Sequence, residues 1–279
     1  MKNIITLITL FYCVIINAQT PITNTNFQTA INTCLTTNPV DGLCSSSEYG
    51  AMPDWDVSQV TNMREAFYGR TNFNGDIGKW DVSNVINMMD MFRDAIDFNQ
   101  DIGSWDVSNV TGIGIIGMFL GASDFNQNIS GWKVGNVTHI GGMFSGASDF
   151  NQNISSWDVS NVINMAGIFN GATAFNQDLS YWCVEKITGI PRDFSRNSAL
   201  SEANKPVWGT CNTTWKGTTD NNWNTATNWN TGAIPVSASD ITIPSGLTNY
   251  PTATSAVSFN TMTINSGASF IPQSTATGA

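Results

Sequence analysis

Charge is what this chain has least of. Asp, Glu, Lys and Arg make up 11% of its 279 residues, where ordinary globular proteins carry roughly 25%. There is a single histidine, His139, and no Cys-x-x-Cys pair, so a metal such as zinc finds no ligand set at usable spacing. No Gly-x-Ser-x-Gly elbow and no phosphate loop are present, and every candidate for a catalytic carboxylate pair belongs to a repeating position. A non-catalytic protein without cofactor or metal is therefore expected. The formal net charge of −10 excludes nucleic acid and anionic membrane surfaces as partners, because both are held by clustered Lys and Arg.

What replaces charge is Asn, Ser, Thr and Gly, together with ten Trp and fifteen Phe, enough aromatic bulk for a sizeable core. The opening "MKNIITLITLFYCVIINA" has one Lys, an apolar run and a small residue, Ala18. It reads as a signal peptide over residues 1–18, cleaved before Gln19, because the run is too short for a transmembrane helix. No transmembrane span is expected, and the protein is placed outside the cell, secreted or at the outer surface. Cleavage removes Lys2 and no acid, so the charge falls by one from −10 to −11. It also leaves four cysteines: Cys34, Cys44, Cys183 and Cys211. Four allow three connectivities; in an exported chain the local pairs Cys34–Cys44 and Cys183–Cys211 are expected.

The dominant signal is a period. Tryptophans stand at Trp55, Trp80, Trp105, Trp132, Trp157 and Trp182, in steps of 25, 25, 27, 25 and 25. Phenylalanines keep step at Phe67, Phe92, Phe119, Phe144, Phe169 and Phe194, and a second series runs from Phe73 to Phe175. A fixed period of this length is the mark of a solenoid. In one unit, "WDV" alternates like a strand, "SN" turns, and Met88, Met91, Phe92 and Ala95 fall at helical spacing. The expected fold is a repeat solenoid of short parallel strands and short helices, one of each per 25-residue coil. Stacking at the strand spacing sets Trp80, Trp105, Trp132 and Trp157 in one column, and Phe92, Phe119, Phe144 and Phe169 in another. Core filling is the favoured reading of the Trp column over a platform for sugars, since Val82 and its equivalents share its face. Like charges in a column repel, which accounts for their scarcity.

The pattern W-D-V-S-N-V-x-N-M-x-x-M-F-x-x-A-x-x-F-N-Q-D-I resembles the repeat of BspA-like leucine-rich-repeat bacterial surface proteins over about residues 55–200. The preceding "NFQTAINTCLTTNPVDGLCSSSEYGAMPDWDVS" is similar to the N-terminal cap of members from Bacteroidetes-type bacteria. The resemblance implies a leucine-rich-repeat-like solenoid on an exported protein and transfers no catalytic residue. The domains are thus a cap at 19–54, about six coils over 55–200, a C-terminal cap and linker at 201–214, and an all-β segment at 215–279 that ends without a closing element. That segment is similar to the openings of β-rich modules in secreted Bacteroidetes adhesins and carbohydrate-active proteins. Its Trp215, Trp223 and Trp229 lie among polar residues and are candidates for exposed contacts, though packing within a small β module is the favoured alternative.

Asp56, Asp81, Asp106 and Asp158 form a column that invites a calcium reading, but Lys133 interrupts it, and turn hydrogen bonding explains it better. The expected function is binding or adhesion: a rigid repeat surface, on a monomer, presented to an extracellular protein or glycan. The alternative is an accessory binding region of a larger secreted carbohydrate-active or proteolytic enzyme.

Overall fold

The computed structural model describes residues 19–230, 234–235, 239–259 and 261–272. The expected signal peptide, residues 1–18, lies outside the described residues, as does the tail from 273.

The chain begins with a helix, α1 (Phe27–Thr37), whose buried residues Phe27, Ala30, Ile31, Cys34 and Leu35 form one stripe at helical spacing. It stops at Asn38, before Pro39, because a residue preceding proline is pushed out of the helical region. The stripe covers the open end of the repeats: the Phe27 ring meets Trp80 edge-on at 5.8 Å. A disulfide from Cys34 to Cys44 ties the helix to the loop after it.

The repeats follow as stacked units. Phe67, Phe92, Phe119, Phe144 and Phe169 lie one above the next, with ring centroids 5.3, 5.5, 5.8 and 5.9 Å apart and planes within 4°. The second series, Phe73 to Phe175, stacks at 5.7–6.1 Å. The two series touch within each unit, as Phe92 and Phe98 do at 3.9 Å. Trp132 and Trp157 stack at 6.5 Å, and all of these side chains are buried in one continuous core.

Within the described repeats, neither the expected short helix nor a continuous strand forms. The segment from Met88 to Ala95 is a run of linked turns. The N–H groups of Met91, Arg93 and Ala95 reach back three residues, to Met88, Asp90 and Phe92. Those of Met88, Asp90, Phe92 and Asp94 instead donate to Gly114, Ile116, Met118 and Leu120 in the next unit. Every donor of this arm is satisfied, half locally and half between units. An α-helix is prevented by Asp90 and Asp94, whose φ values of 53° and 55° lie in the left-handed region. Glycine takes those places in the next unit, where a Cβ on Gly117 would lie 2.4 Å from Asp90 Oδ1 and push that carboxylate aside. Strand pairing is reduced to single parallel bridges, such as Asn62 to Asn87 and His139 to Asn164.

The two extra residues fall between Val110 and Phe119. The chain absorbs them around Gly112, which takes φ 57° and bridges to Val137. At the far end the register slips by one. Phe169 N–H donates to Phe194 O, where Phe144 N–H donates to Ile168 O, so Phe194 occupies the place held by Ile168 one unit earlier. Its ring accordingly meets Phe169 edge-on, at 88°, and is closed over by Trp208 at 4.9 Å. The Cys183–Cys211 disulfide fastens this end.

A second core follows. Strands β1 (Asn212–Thr214), β2 (Asp240–Ile243) and β3 (Thr261–Ile264) form a parallel sheet in chain order. A second row of parallel bridges links Asn222, Thr252 and Ile271. Strand β1 begins inside the stretch read from the sequence as linker.

Candidate binding surface

The side chains of the repeats sort into those that hold neighbouring units together and those that face outward. Each tryptophan belongs to the first kind. Beyond filling the core, Trp105, Trp132 and Trp157 donate their indole N–H to the carbonyls of Ile77, Ile102 and Ile129, one unit earlier, at 3.1–3.2 Å. A buried indole N–H needs such a partner.

The Asn of "FNQ" is also committed. Asn126 Oδ1 accepts from the Asn151 N–H at 3.0 Å and from Gln152 Nε2 at 2.8 Å. Asn99 and Asn151 repeat the arrangement in the units on either side, making a ladder along the stack. The Asn of "SN" reaches back a unit as well: Asn161 Nδ2 donates to the Gly135 carbonyl at 2.8 Å.

The aspartates of "WDV" close their own turns. Asp56, Asp81, Asp106 and Asp158 each accept the N–H of the serine two residues on, at 3.0–3.1 Å. In Asp56 and Asp106 the serine bonds hold the carboxyl below its ordinary value. Among the described residues no three His, Cys, Asp or Glu gather as a metal group would need.

The expectation of exposed contacts at Trp215, Trp223 and Trp229 is corrected by the structure: all three are buried, at 0–1% exposure. Trp229 sits edge-on to both others, at 5.0 and 4.7 Å. Their N–H groups are used inward where they are bonded, Trp215 to Asn249 O and Trp229 to Trp223 O. The polar residues around them form the shell of the second core. Asn228, itself fully buried, gathers Thr219, Asp220 and Asn222 about it.

One face of the stack is built differently. The hydrogen bonds between units define its columns. Glu65, Asp90, Gly117, Gly142 and Gly167 donate to the carbonyls of Met89, Ile116, Gly141, Ala166 and Arg192. Arg64, Met89, Ile116, Gly141, Ala166 and Arg192 therefore share a column. By the same logic, through Gly69, Asp94, Gly121, Gly146 and Gly171, a second column holds Tyr68, Arg93, Leu120, Ser145, Asn170 and Arg196. All five arginines of the chain lie in or beside these columns, since Arg70 follows Tyr68 by two residues. They stand toward the two ends of the stack, and between them the columns carry Met89, Ile116, Gly141, Ala166, Leu120, Ser145 and Asn170. Ile86, Ile113 and Ile163 border the face and are 53%, 48% and 54% exposed.

The ion pairs here are exposed on the arginine side: Arg64 to Glu65 at 2.8 Å, Arg93 to Asp90 and Asp94 at 3.7 Å, Arg192 to Asp193 at 3.3 Å, Arg196 to Asp193 at 3.7 Å. Arg93 also lies over the Tyr68 ring, 5.4 Å from its centroid. Burial pushes the Asp90 carboxyl above its ordinary value, with Arg93 opposing. At the N-terminal end the face runs into an open cleft of about 1140 Å³ between α1 and the first unit. Gln28 of α1 bonds the Ala66 carbonyl there, and no donor among the described residues reaches the carbonyls of Asn62, Arg64 and Tyr68. The Gly112–Gly117 run has the letters of a dinucleotide-binding fingerprint, but turns flank it where that motif needs a strand and a helix.

Sequence reasoning passed over this face because its residues are the ones that break the repeat. The signal was nevertheless present: five arginines, each at an arm position, in an acidic chain.

Stacked units with a shared core define a tandem-repeat protein. The chain belongs to the family described as "Mycoplasma protein of unknown function, DUF285", which matches it twice in tandem, at residues 42–116 and 113–208. No curated protein matches the chain, and no solved structure does.

Proposed function

We propose that the chain is an exported, non-catalytic binding protein of the BspA-like kind. In this reading a leucine-rich-repeat-like solenoid presents its side to an extracellular protein or glycan. The observation that carries the reading is the division of labour among the polar side chains. Asn, Asp, Ser and Trp of the repeat are used to join units or close turns, and what remains outward is a long lateral surface. A surface of that kind sums many modest contacts over area, and only their surplus over the entropy of association appears as affinity. Two disulfides support an oxidising, extracellular setting. No helix among the described residues is long and apolar enough to cross a membrane.

The test is a screen of the secreted protein on glycan and extracellular-matrix arrays, with hydrolase assays in parallel. Binding should weaken stepwise as whole units are deleted between intact caps. The secreted protein should begin at Gln19. Turnover of any substrate, lost on replacing one Asp without unfolding, would overturn the reading in favour of an enzyme.

A further inference from the structure

We infer that the face bounded by Arg64 and Arg192 is a docking surface for an acidic polypeptide segment with apolar side chains at its centre. The inference rests on the binding function proposed above and names the place and the partner.

The first argument is charge. The chain carries −10, and its acids are spread over the rest of the stack. On this face five arginines meet four carboxylates, those of Glu65, Asp90, Asp94 and Asp193. It is the region where an acidic partner is not repelled, so the surrounding field favours one docking orientation. The arginines are available: the side chains of Arg192 and Arg196 are 91% and 68% exposed. Exposed pairs of this kind contribute little, so an incoming carboxylate can displace them and take the bidentate geometry that a guanidinium offers.

The second argument is shape and polarity. Between the arginine ends lie Met89, Ile116 and Leu120, half-buried, with Ile113 exposed beside them. In the three middle units Gly117, Gly142 and Gly167 hold left-handed φ values of 60°, 62° and 63° where earlier units carry Glu65 and Asp90, and the half-buried backbone at Gly142 and Gly167 has no side chain over it. From the first unit to the sixth the face spans roughly 24 Å at the 4.8 Å strand spacing. An apolar centre rimmed by charge is the anatomy of a protein–protein site. An anionic glycan would satisfy the arginines and leave the centre unused.

The third argument is the cleft beside α1. The carbonyls of Asn62, Arg64 and Tyr68 point where a preceding unit would lie, since their equivalents Asn87, Met89 and Arg93 accept from Met63, Glu65 and Gly69. A polypeptide entering the cleft brings the N–H donors they lack.

The experiment uses the full secreted chain. A phage-displayed library of random dodecapeptides is selected against it, and the enriched sequences are synthesised and their affinity measured by fluorescence anisotropy. Enriched peptides should carry Asp or Glu on either side of apolar residues. Arg192→Glu with Arg196→Glu, both exposed and harmless to folding, should weaken them at least tenfold, and so should added salt. Leu120→Asp should do the same, with its fold checked by circular dichroism. Asp106→Asn, on a different face, should change nothing. Enrichment of basic or uncharged peptides, undiminished binding to the arginine double variant, or no enrichment would overturn the inference. So would self-association that the double variant abolishes, because the occupant would then be a second copy. An array partner that binds wild type and the double variant equally would remove this face as the site and leave the binding function standing.

Discussion

The indole Nε1 of Trp157 donates to the carbonyl oxygen of Ile129, 28 residues earlier and one unit below, at 3.1 Å. Phe at this position keeps much of the buried area and removes one of the two bonds to that carbonyl, which still accepts the Trp132 N–H. Trp157→Phe is therefore expected to cost about 0.5–1.5 kcal/mol, and Trp157→Ala about 3–5 kcal/mol. Urea denaturation followed by circular dichroism measures both. Equal midpoints for Trp157→Phe and the parent would show that the bond contributes nothing.

Phe144 is fully buried between Phe119 and Phe169, with Phe150 at 3.9 Å. Phe144→Ala should cost about 3–5 kcal/mol. Asp158→Ala removes only the acceptor for the Ser160 N–H and hydroxyl, and should cost about 1 kcal/mol. The same denaturation curves compare them; a smaller effect for Phe144→Ala would contradict the stacked core.

Asn126 tests the polar ladder. Asn126→Ala leaves the Asn151 N–H and Gln152 amide without their shared acceptor. A loss of about 1–3 kcal/mol is expected, with faster hydrogen exchange at the Asn151 amide. Asn126→Asp keeps the acceptor and should restore the protection of that amide.

Stability should depend on pH in two opposite senses. Asp90 is raised above 3.8 by burial, with Glu65 adding to the rise and Arg93 opposing it. The folded state thus holds this proton more readily than the unfolded chain. Its contribution is fully present below the unfolded value and lost as pH rises through the folded one. Asp90→Asn, tolerated at a left-handed φ, should stabilise near pH ~7 and leave stability unchanged near pH ~2.5. Asp56 and Asp106 are lowered by their serine bonds, so their contribution is present above 3.8 and lost as pH falls through their folded values. Thermal melts across that range decide; a gain for Asp90→Asn that persists in acid would refute the burial account.

The disulfides close separations of 10 and 28 residues. In the chain-entropy account the first contributes about 3 kcal/mol and the second about 3.5 kcal/mol. Cys183→Ser with Cys211→Ser should lower the melting temperature and expose Trp208 to fluorescence quenching. An unchanged melt would mean that Trp208 alone secures that end.

Much of this was legible in one dimension. The Trp and Phe steps are visible without a structure, and those side chains are buried here. A stack imposes the same environment on each equivalent residue, so the sequence must repeat where the core does. The arm was misread because a stripe at Met88, Met91, Phe92 and Ala95 fits a helix and a run of linked turns alike. Left-handed Asp90 and Asp94 decide between them, and an aspartate carries only a weak sign of that conformation. Trp215, Trp223 and Trp229 stayed open between contact and packing for a related reason: a polar neighbourhood along the chain says little about burial once Asn228 folds inward.

The sequence by itself determined the period, the aromatic core and the poverty of charge, because each follows from what a column of identical neighbours tolerates. Only the tertiary structure decided which polar columns are consumed in joining units and which remain open. It also decided where the arginines meet. Arg64 and Arg192 are far apart along the chain, and they share a face because the backbone hydrogen bonds of five successive units set them in one column.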